Sequence, residues 1–311
     1  MILNRTNVKV MRLLPIVSGA AGLLLVTGCA GDPSGNAGAD LEVAAAFYPL
    51  EYVAEHVGGD LVRVTPLASP GVEPHDLELS PMAVREIAQA DLVLYLSDFQ
   101  PAVDDAVIAT KARVFDAADA VDLRPAEHQA GDSEADDHEH GVMDPHFWLD
   151  PTMLATYATA VGEQFAQLDP DNSATYLANA SALASELTSL GDTYTTGLAQ
   201  CERRDIVTSH EAFAYLAARY DLNQIGIAGI DPEAEPSPAR LLAIRDIVEQ
   251  TGTTTIFTES LVNTAVADAI ARDTGATTAV LDPVESVIDN DDYASVMARN
   301  LEALRTALAC D

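Results

Sequence analysis

The stretch "SATYLANASALASELTSLGDTYTTG", Ser173–Gly197, decides the fold. Within it Tyr176, Ala180, Leu183, Leu187, Leu190 and Tyr194 recur at spacings of four and three. That period sets them on one face of a single long amphipathic helix. No β-rich run interrupts it, so residues 171–199 read as a rigid connector. On both sides the pattern changes to short β-rich runs alternating with helical ones. Before the connector, "LEVAAAF" (Leu41–Phe47), "LVRVTPL" (Leu61–Leu67), "DLVLYLS" (Asp91–Ser97) and "ARVFDA" read as strands. After it, "RDIVTS", "NQIGIAG", "TTTIFT" and "TTAVLD" do the same. Ser80-Pro81, Asp150-Pro151 and Ser237-Pro238 each pair a capping side chain with a proline suited to a first helical turn, and so mark helix starts. "HEAFAYLAARY" is read as a helix beginning at His210, and the last helix spans Asp292 to Ala309. Alternating strands and helices imply parallel sheets covered by helices. The expected fold is α/β, with two lobes, each a mainly parallel sheet with flanking helices. The N-terminal lobe covers 41–170, the C-terminal lobe 200–311, and the long helix joins them.

The first forty residues have a different character. Arg5, Lys9 and Arg12 precede "LLPIVSGAAGLLLV", which is too short and Gly-broken for a good membrane span. The run ends in "VTGC", which resembles a bacterial lipobox; the resemblance implies that residues 1–28 are a signal peptide and Cys29 the lipidated N-terminus, the alternatives being a non-lipidated signal peptide or an uncleaved anchor. "AGDPSGNAGAD" then leads to Leu41, making 29–40 a flexible tether. Outside the cytoplasm disulfides persist, and Cys201 and Cys310 are left as an even pair. A bridge between them is the expected arrangement, with two separate buried thiols as the alternative.

The chain of 311 residues carries a formal charge of −33, with Lys111 the only lysine after the leader. Binding a phosphate backbone requires clustered Lys and Arg, so nucleic acid is excluded as a partner. An acidic chain suits a cationic ligand. Four side chains fall in loops or at strand ends, two from each half: His75 in "GVEPHDLELSP", His146 in "DPHFWLDP", His210 in "VTSHEAF" and Asp282 in "AVLDPVE". In open parallel sheets, ligands bind beyond the carboxyl ends of strands, so a cleft between lobes could gather these four into a metal site. Three neutral imidazoles and a carboxylate form a tetrahedral N₃O set that suits Zn²⁺, with Mn²⁺ a poorer match. Enzyme motifs are missing. "HEAFA" has Ala214 where a zincin needs its second histidine, and neither G-x-S-x-G nor a P-loop occurs.

One acidic stretch stands apart. "EHQAGDSEADDHEHG", Glu127–Gly141, holds six carboxylates and three histidines with no Lys or Arg. His128, His138 and His140 in this 127–143 loop could gather metal weakly, or the loop could be a solvated acidic run. His146 differs, framed by Pro145, Phe147 and Trp148, the only tryptophan.

"GVEPHDLELSP", "MDPHFWLDP", "VTSHEAFAYLAARYDL", "GIDPEAEPSPARL", "IFTES" and "LDPVE", taken together and in order, resemble the zinc-binding lipoproteins of bacterial ABC metal importers. The resemblance runs from Leu41 onward. It implies two lobes joined by a long helix, a monomer anchored outside the cell membrane by lipid, and an ABC permease as partner. It places the metal on His75, His146, His210 and Asp282. Manganese-preferring relatives tend to have Glu where this chain has His210, which points to zinc. Some zinc members use an acidic residue directly before the first histidine; here Pro74 intervenes and Glu73 is displaced, leaving Asp282 favoured and Glu285 as the substitute. The expected function is capture of Zn²⁺ and delivery to the permease, without enzyme activity. The alternatives are a manganese- or iron-binding importer component, a metal-dependent surface adhesin, and a secreted zinc hydrolase.

Overall fold

The computed structural model describes residues 41–126, 143–287 and 291–311. The leader, Cys29 and the tether lie outside these residues, as do His128, His138 and His140. The first half runs β1 (Leu41–Ala45), α1 (Tyr48–Gly58), β2 (Val62–Pro66), α2 (Pro81–Gln89), β3 (Leu92–Tyr95), α3 (Pro101–Thr110) and β4 (Val114–Asp116). Then come α4 (Pro151–Leu168) and the long α5 (Ser173–Gly197). The second half runs β5 (Asp205–Thr208), α6 (Ala214–Arg219), β6 (Asn223–Gly226), α7 (Pro238–Thr251), β7 (Thr255–Thr258), α8 (Ala265–Thr274), β8 (Thr277–Val280) and α9 (Tyr293–Leu308).

Two four-stranded sheets form, ordered β2-β1-β3-β4 and β6-β5-β7-β8. All pairings within them are parallel. In the first, Val43 lies opposite Val64 and Leu92; in the second, Val207 lies opposite Ile225 and Ile256. Near-continuous apolar runs such as Leu92–Leu94 serve strands that are covered on both faces. In the second sheet the two faces bury into different cores. Ile206 and Phe257 point into a large core that also takes in the first sheet, α1, α4, α5 and α9. Their neighbours Val207 and Ile256 point the other way, into a smaller core with Ile225, Ile244, Val248 and Ile270.

Each cap-and-proline signal marks a real helix start. Ser80 accepts from Ala83 N, Asp150 from Thr152 N and Ser237 from Arg240 N, with proline next in each case. Asp292 and Ser295 cap α9 reciprocally.

The connector buries Tyr176, Ala180, Leu183, Leu187 and Tyr194 as its spacing requires, with Gly191 rather than Leu190 completing the face. It lies against α4 so closely that a Cβ on Gly162 would meet the Ala180 Cβ at 2.5 Å. Asn179 Nδ2 donates to Val57 O of α1, and Tyr194 OH donates to Met297 O of α9. At a rise of about 1.5 Å per residue, α5 is about 37 Å long and engages both halves.

Cys201 and Cys310 form a disulfide 109 residues apart in sequence. It ties the segment entering β5 to the end of α9, beside Arg203 N donating to Leu308 O and Asp311 N donating to Gln200 O. Two features differ from expectation. Helix α3 occupies a stretch between two expected strands to which the sequence reading assigns no element, and α6 begins at Ala214 rather than His210. The backbone around His210 is engaged elsewhere: Thr208 Oγ1 and Gln224 Nε2 both donate to His210 O, and Glu211 N donates to Gly229 O. Among the described residues, no helix is long and apolar enough to cross a membrane.

Candidate metal centre

His75 sits on the loop between β2 and α2. Glu73 shapes this loop by accepting from His75 N at 3.1 Å and from Asp76 N at 3.2 Å. Its carboxylate is thereby engaged with the backbone and lies 4.0 Å from His75 Nε2. Burial raises the Glu73 pKa. Gln100 Nε2 holds the loop from below through Pro74 O, and the Phe99 ring meets the His75 ring edge-on. From the opposite half, Ser286 Oγ accepts from Gly71 N at 2.7 Å.

His146 closes the segment that leads into α4. It is completely buried, as are Phe147, Trp148 and Leu149 in the turn after it. Asp144 Oδ1 accepts from both His146 N at 3.0 Å and His146 Nδ1 at 2.8 Å. Trp148 Nε1 donates to Pro283 O, and Tyr293 OH donates to Trp148 O. The frame of this histidine is therefore built from both halves.

His210 lies just past β5 and is also completely buried. Its Nδ1 donates to Glu259 Oε1 at 2.7 Å, and Ser209 Oγ donates to the same oxygen. Glu259 stands at the carboxyl end of β7.

Glu285 completes the group. Its Oε1 lies 3.3 Å from His75 Nε2, 3.0 Å from His146 Nε2 and 3.7 Å from His210 Nε2. The Nε2 atoms of His146 and His210 are 3.3 Å apart. A tetrahedral zinc with ligands at 2.0–2.1 Å has ligand–ligand edges of about 3.3 Å. One ligand atom from each of the four residues lies within 4.8 Å of every other. The cluster thus has the size and chemistry of a tetrahedral N₃O metal site.

Among the described residues, the cluster holds Glu285, the substitute, in the place expected of Asp282. Asp282 Oδ1 accepts from Val284 N at 2.8 Å, while Asn300 of α9 bonds both its N and its O. The turn this creates holds Val284 at φ +57°, a left-handed conformation uncommon for a β-branched residue. The chain reverses there and sends Glu285 toward the histidines. The carboxylate anticipated at the strand end arrives three residues later.

The electrostatics are tightly coupled. Burial opposes charge on His210, but the Glu259 carboxylate and Glu285 outweigh it and raise the imidazole to about 10. Burial likewise opposes charge on His146, and hydrogen bonds to Asp144 and Glu285 override it, so its pKa is raised. Burial alone would raise Glu285; hydrogen bonds from His146, His210 and His75 hold it well below the usual carboxylate range. Asp282, lacking such partners, is raised by burial. A site that draws protons onto its imidazoles has a strongly negative potential, which equally attracts a divalent cation.

Sequence reasoning gave no role to Asp144 or Glu259. Their signals were present: an Asp two residues before a framed histidine, and a Glu at the end of a β-rich run in "IFTES".

Two parallel α/β halves with a buried four-donor cluster between them define a two-lobed metal-binding class of protein. A family described as ZnuA, zinc-uptake complex component A, periplasmic, matches residues 43–307. The chain belongs to this family. It is 32% identical over 306 residues to the high-affinity zinc uptake system protein ZnuA of Bacillus subtilis, covering 93% of this chain and 95% of that one. It is 34% identical over 280 residues to the zinc-binding lipoprotein AdcA of Streptococcus pneumoniae, covering 85% of this chain and 55% of AdcA. The chain thus spans about half the length of those streptococcal relatives. Among solved structures, the laminin-binding protein Lmb of Streptococcus agalactiae superposes with a TM-score of 0.77 at 33% identity, covering 86% of this chain and 99% of that one. That protein is described as bifunctional, with adhesin and metal-transporting activity.

Proposed function

We propose that this chain is an extracytoplasmic solute-binding protein that captures one Zn²⁺ and delivers it to an ABC permease. The ligands are Nε2 of His75, His146 and His210 and the carboxylate of Glu285. The observation that carries the reading is the convergence of these four donors: Glu285 Oε1 lies 3.0 to 3.7 Å from the three Nε2 atoms, the Nε2 atoms of His146 and His210 are 3.3 Å apart, and all four donors lie within 4.8 Å of one another. Separations of this size suit a small tetrahedral N₃O shell such as zinc takes, and three imidazoles suit zinc better than manganese, which prefers more oxygen donors. Four protein donors also close the coordination shell, whereas a catalytic zinc keeps a position for water. That favours a binding protein over a hydrolase, in keeping with family membership. Cys29 anchors the chain to the membrane by lipid, residues 29–40 act as tether, and the lobes 41–170 and 200–311 with the connector 171–199 form the soluble body. The acidic loop with His128, His138 and His140 gathers cations toward the site.

The test is metal content and titration. Protein purified without added metal and then titrated with Zn²⁺ and Mn²⁺ is expected to hold one zinc tightly and manganese far more weakly. A tight site that prefers manganese, or no tight site, would overturn the reading. Loss of zinc uptake on deleting the protein, restored by wild type but not by Cys29→Ala, tests delivery and anchoring.

A further inference from the structure

We propose that Asp144 and Glu259 are positioning residues, each holding the Nδ1 proton of one histidine so that its Nε2 is presented to the cation. The inference rests on the zinc reading above and extends it to two residues that touch no metal. Asp144 Oδ1 lies 2.8 Å from His146 Nδ1 and Glu259 Oε1 lies 2.7 Å from His210 Nδ1, hydrogen-bond distances at which each oxygen serves as acceptor for a proton on Nδ1. That tautomer leaves the Nε2 lone pair for the metal and also restricts the ring from turning.

Both carboxylates are buried, Asp144 at 1% exposure and Glu259 at 5%. A buried carboxylate normally repays its desolvation by filling its hydrogen-bonding capacity. Asp144 does not: its Oδ2 is buried without a hydrogen-bond partner, while Oδ1 takes both the backbone and the ring of His146. Glu259 gathers Ser209 Oγ and His210 Nδ1 on one oxygen. The carboxylate next in sequence to His210, Glu211, lies instead beside Arg240.

Each positioning residue belongs to the same half of the chain as the histidine it holds. Asp144 and His146 share one segment before α4, while Glu259 and His210 sit at the ends of adjacent strands β7 and β5. Each half therefore supplies the carboxylate that holds the Nδ1 of its own histidine. Among the described residues, His75 has no carboxylate at its Nδ1 in this way.

The experiment uses the full chain, Zn²⁺ as probe, and four variants: Asp144→Asn, Asp144→Ala, Glu259→Gln and Glu259→Ala. Competition titration is expected to show the Ala variants weakened by about 10- to 100-fold, as for other partners of metal-bound histidines. Asn and Gln keep an oxygen that accepts from Nδ1 and should recover part of the loss. Nitrogen-15 NMR of the zinc-loaded protein should show slowly exchanging Nδ1 protons on His146 and His210. Asp144→Ala should abolish protection only at His146, and Glu259→Ala only at His210. Folded Ala variants that bind Zn²⁺ within twofold of wild type would overturn the inference. So would Gln and Asn variants as weak as Ala while the Nδ1 signals stay unchanged. Wild-type protein that holds no Zn²⁺ would overturn the functional reading and this inference with it, whereas tight wild-type binding with equally tight variants would overturn this inference alone.

Discussion

The two halves have one strand order but deliver their donors from different places. In the first, His75 follows the edge strand β2, and His146 arrives thirty residues after the opposite edge strand β4. In the second, His210 follows the central strand β5, and Glu285 follows the edge strand β8. Repeating a sheet therefore repeats a rim, with its strand ends facing one cleft, but does not repeat the loops that carry chemistry. The halves also differ in how they are held. The first shares one continuous core with α4 and α5, while the second keeps part of its sheet in a separate, smaller core and closes its ends with the disulfide.

The disulfide is where that contrast should break most visibly. Replacing Cys201 and Cys310 by serine reopens a loop of 109 residues. The chain-entropy treatment puts the loss at up to about 4.7 kcal/mol. Hydrogen exchange should then show lost protection in β5, β6 and α9 with little change in β1–β4. A uniform loss across both sheets would mean that the halves unfold as one unit.

Within the second half, Glu285 and Asp282 should separate next. Glu285→Gln removes a buried charge shared by three imidazoles and should cost more than a hundredfold in zinc affinity, about 3 kcal/mol or more. Asp282→Asn keeps an acceptor for Val284 N and so preserves the turn that carries Glu285, and should stay within about threefold. Calorimetry on both variants decides; the reverse order would return the fourth position to Asp282.

The three histidines provide a finer comparison. His210→Ala and His146→Ala each remove a completely buried, carboxylate-held ring, whereas His75 is partly exposed on a loop. Loss at His75 should be smaller by about tenfold, because a ring without a carboxylate at its Nδ1 gives up more of its binding free energy to ordering. Equal losses would show that the loop is as firmly set as the strand ends.

The gentlest test is pH. His210 is raised to about 10 in the metal-free protein, so the charged imidazole stabilises that form fully below about 6.5, the unfolded value, and the contribution fades as pH rises toward 10. Zinc must displace that proton, so the trend for affinity has the opposite sign. Affinity should climb by about tenfold per pH unit between pH 6 and 8, with proton release measurable by calorimetry in buffers of different ionisation enthalpy. A plateau above pH 6.5 would mean the imidazole titrates as if free.

Much of this was legible beforehand, for local reasons. The long helix followed from the spacing of Tyr176 to Tyr194, and the helix starts from Ser80, Asp150 and Ser237, because caps and apolar periods act over a few residues. Helix α3 escaped notice because it buries only Val103, Ala106 and Val107 and carries a weak pattern. The start of α6 was misplaced because Gln224 and Gly229, well along the chain, take the backbone partners of His210 and Glu211. The resemblance and the displaced Glu73 favour Asp282 over its substitute Glu285; what brings Glu285 to the histidines is the turn at Val284, secured by Asn300 of α9. Non-local hydrogen bonds of this sort leave no mark on the neighbouring residues.

The contact between Gly162 and Ala180 has a consequence for rates. With Thr152 packed on Gly191 further along, α4 acts as a splint on the connector. Bending α5 to part the lobes would pull two interlocked helices out of register, a movement far slower than rearranging a surface loop. The expected gatekeeper is therefore the loop of His75, pinned to the far side through Gly71 and Ser286. In stopped-flow measurements, Ser286→Ala should change how fast zinc enters and leaves, whereas an exposed substitution along the connector such as Ser185→Ala should change neither.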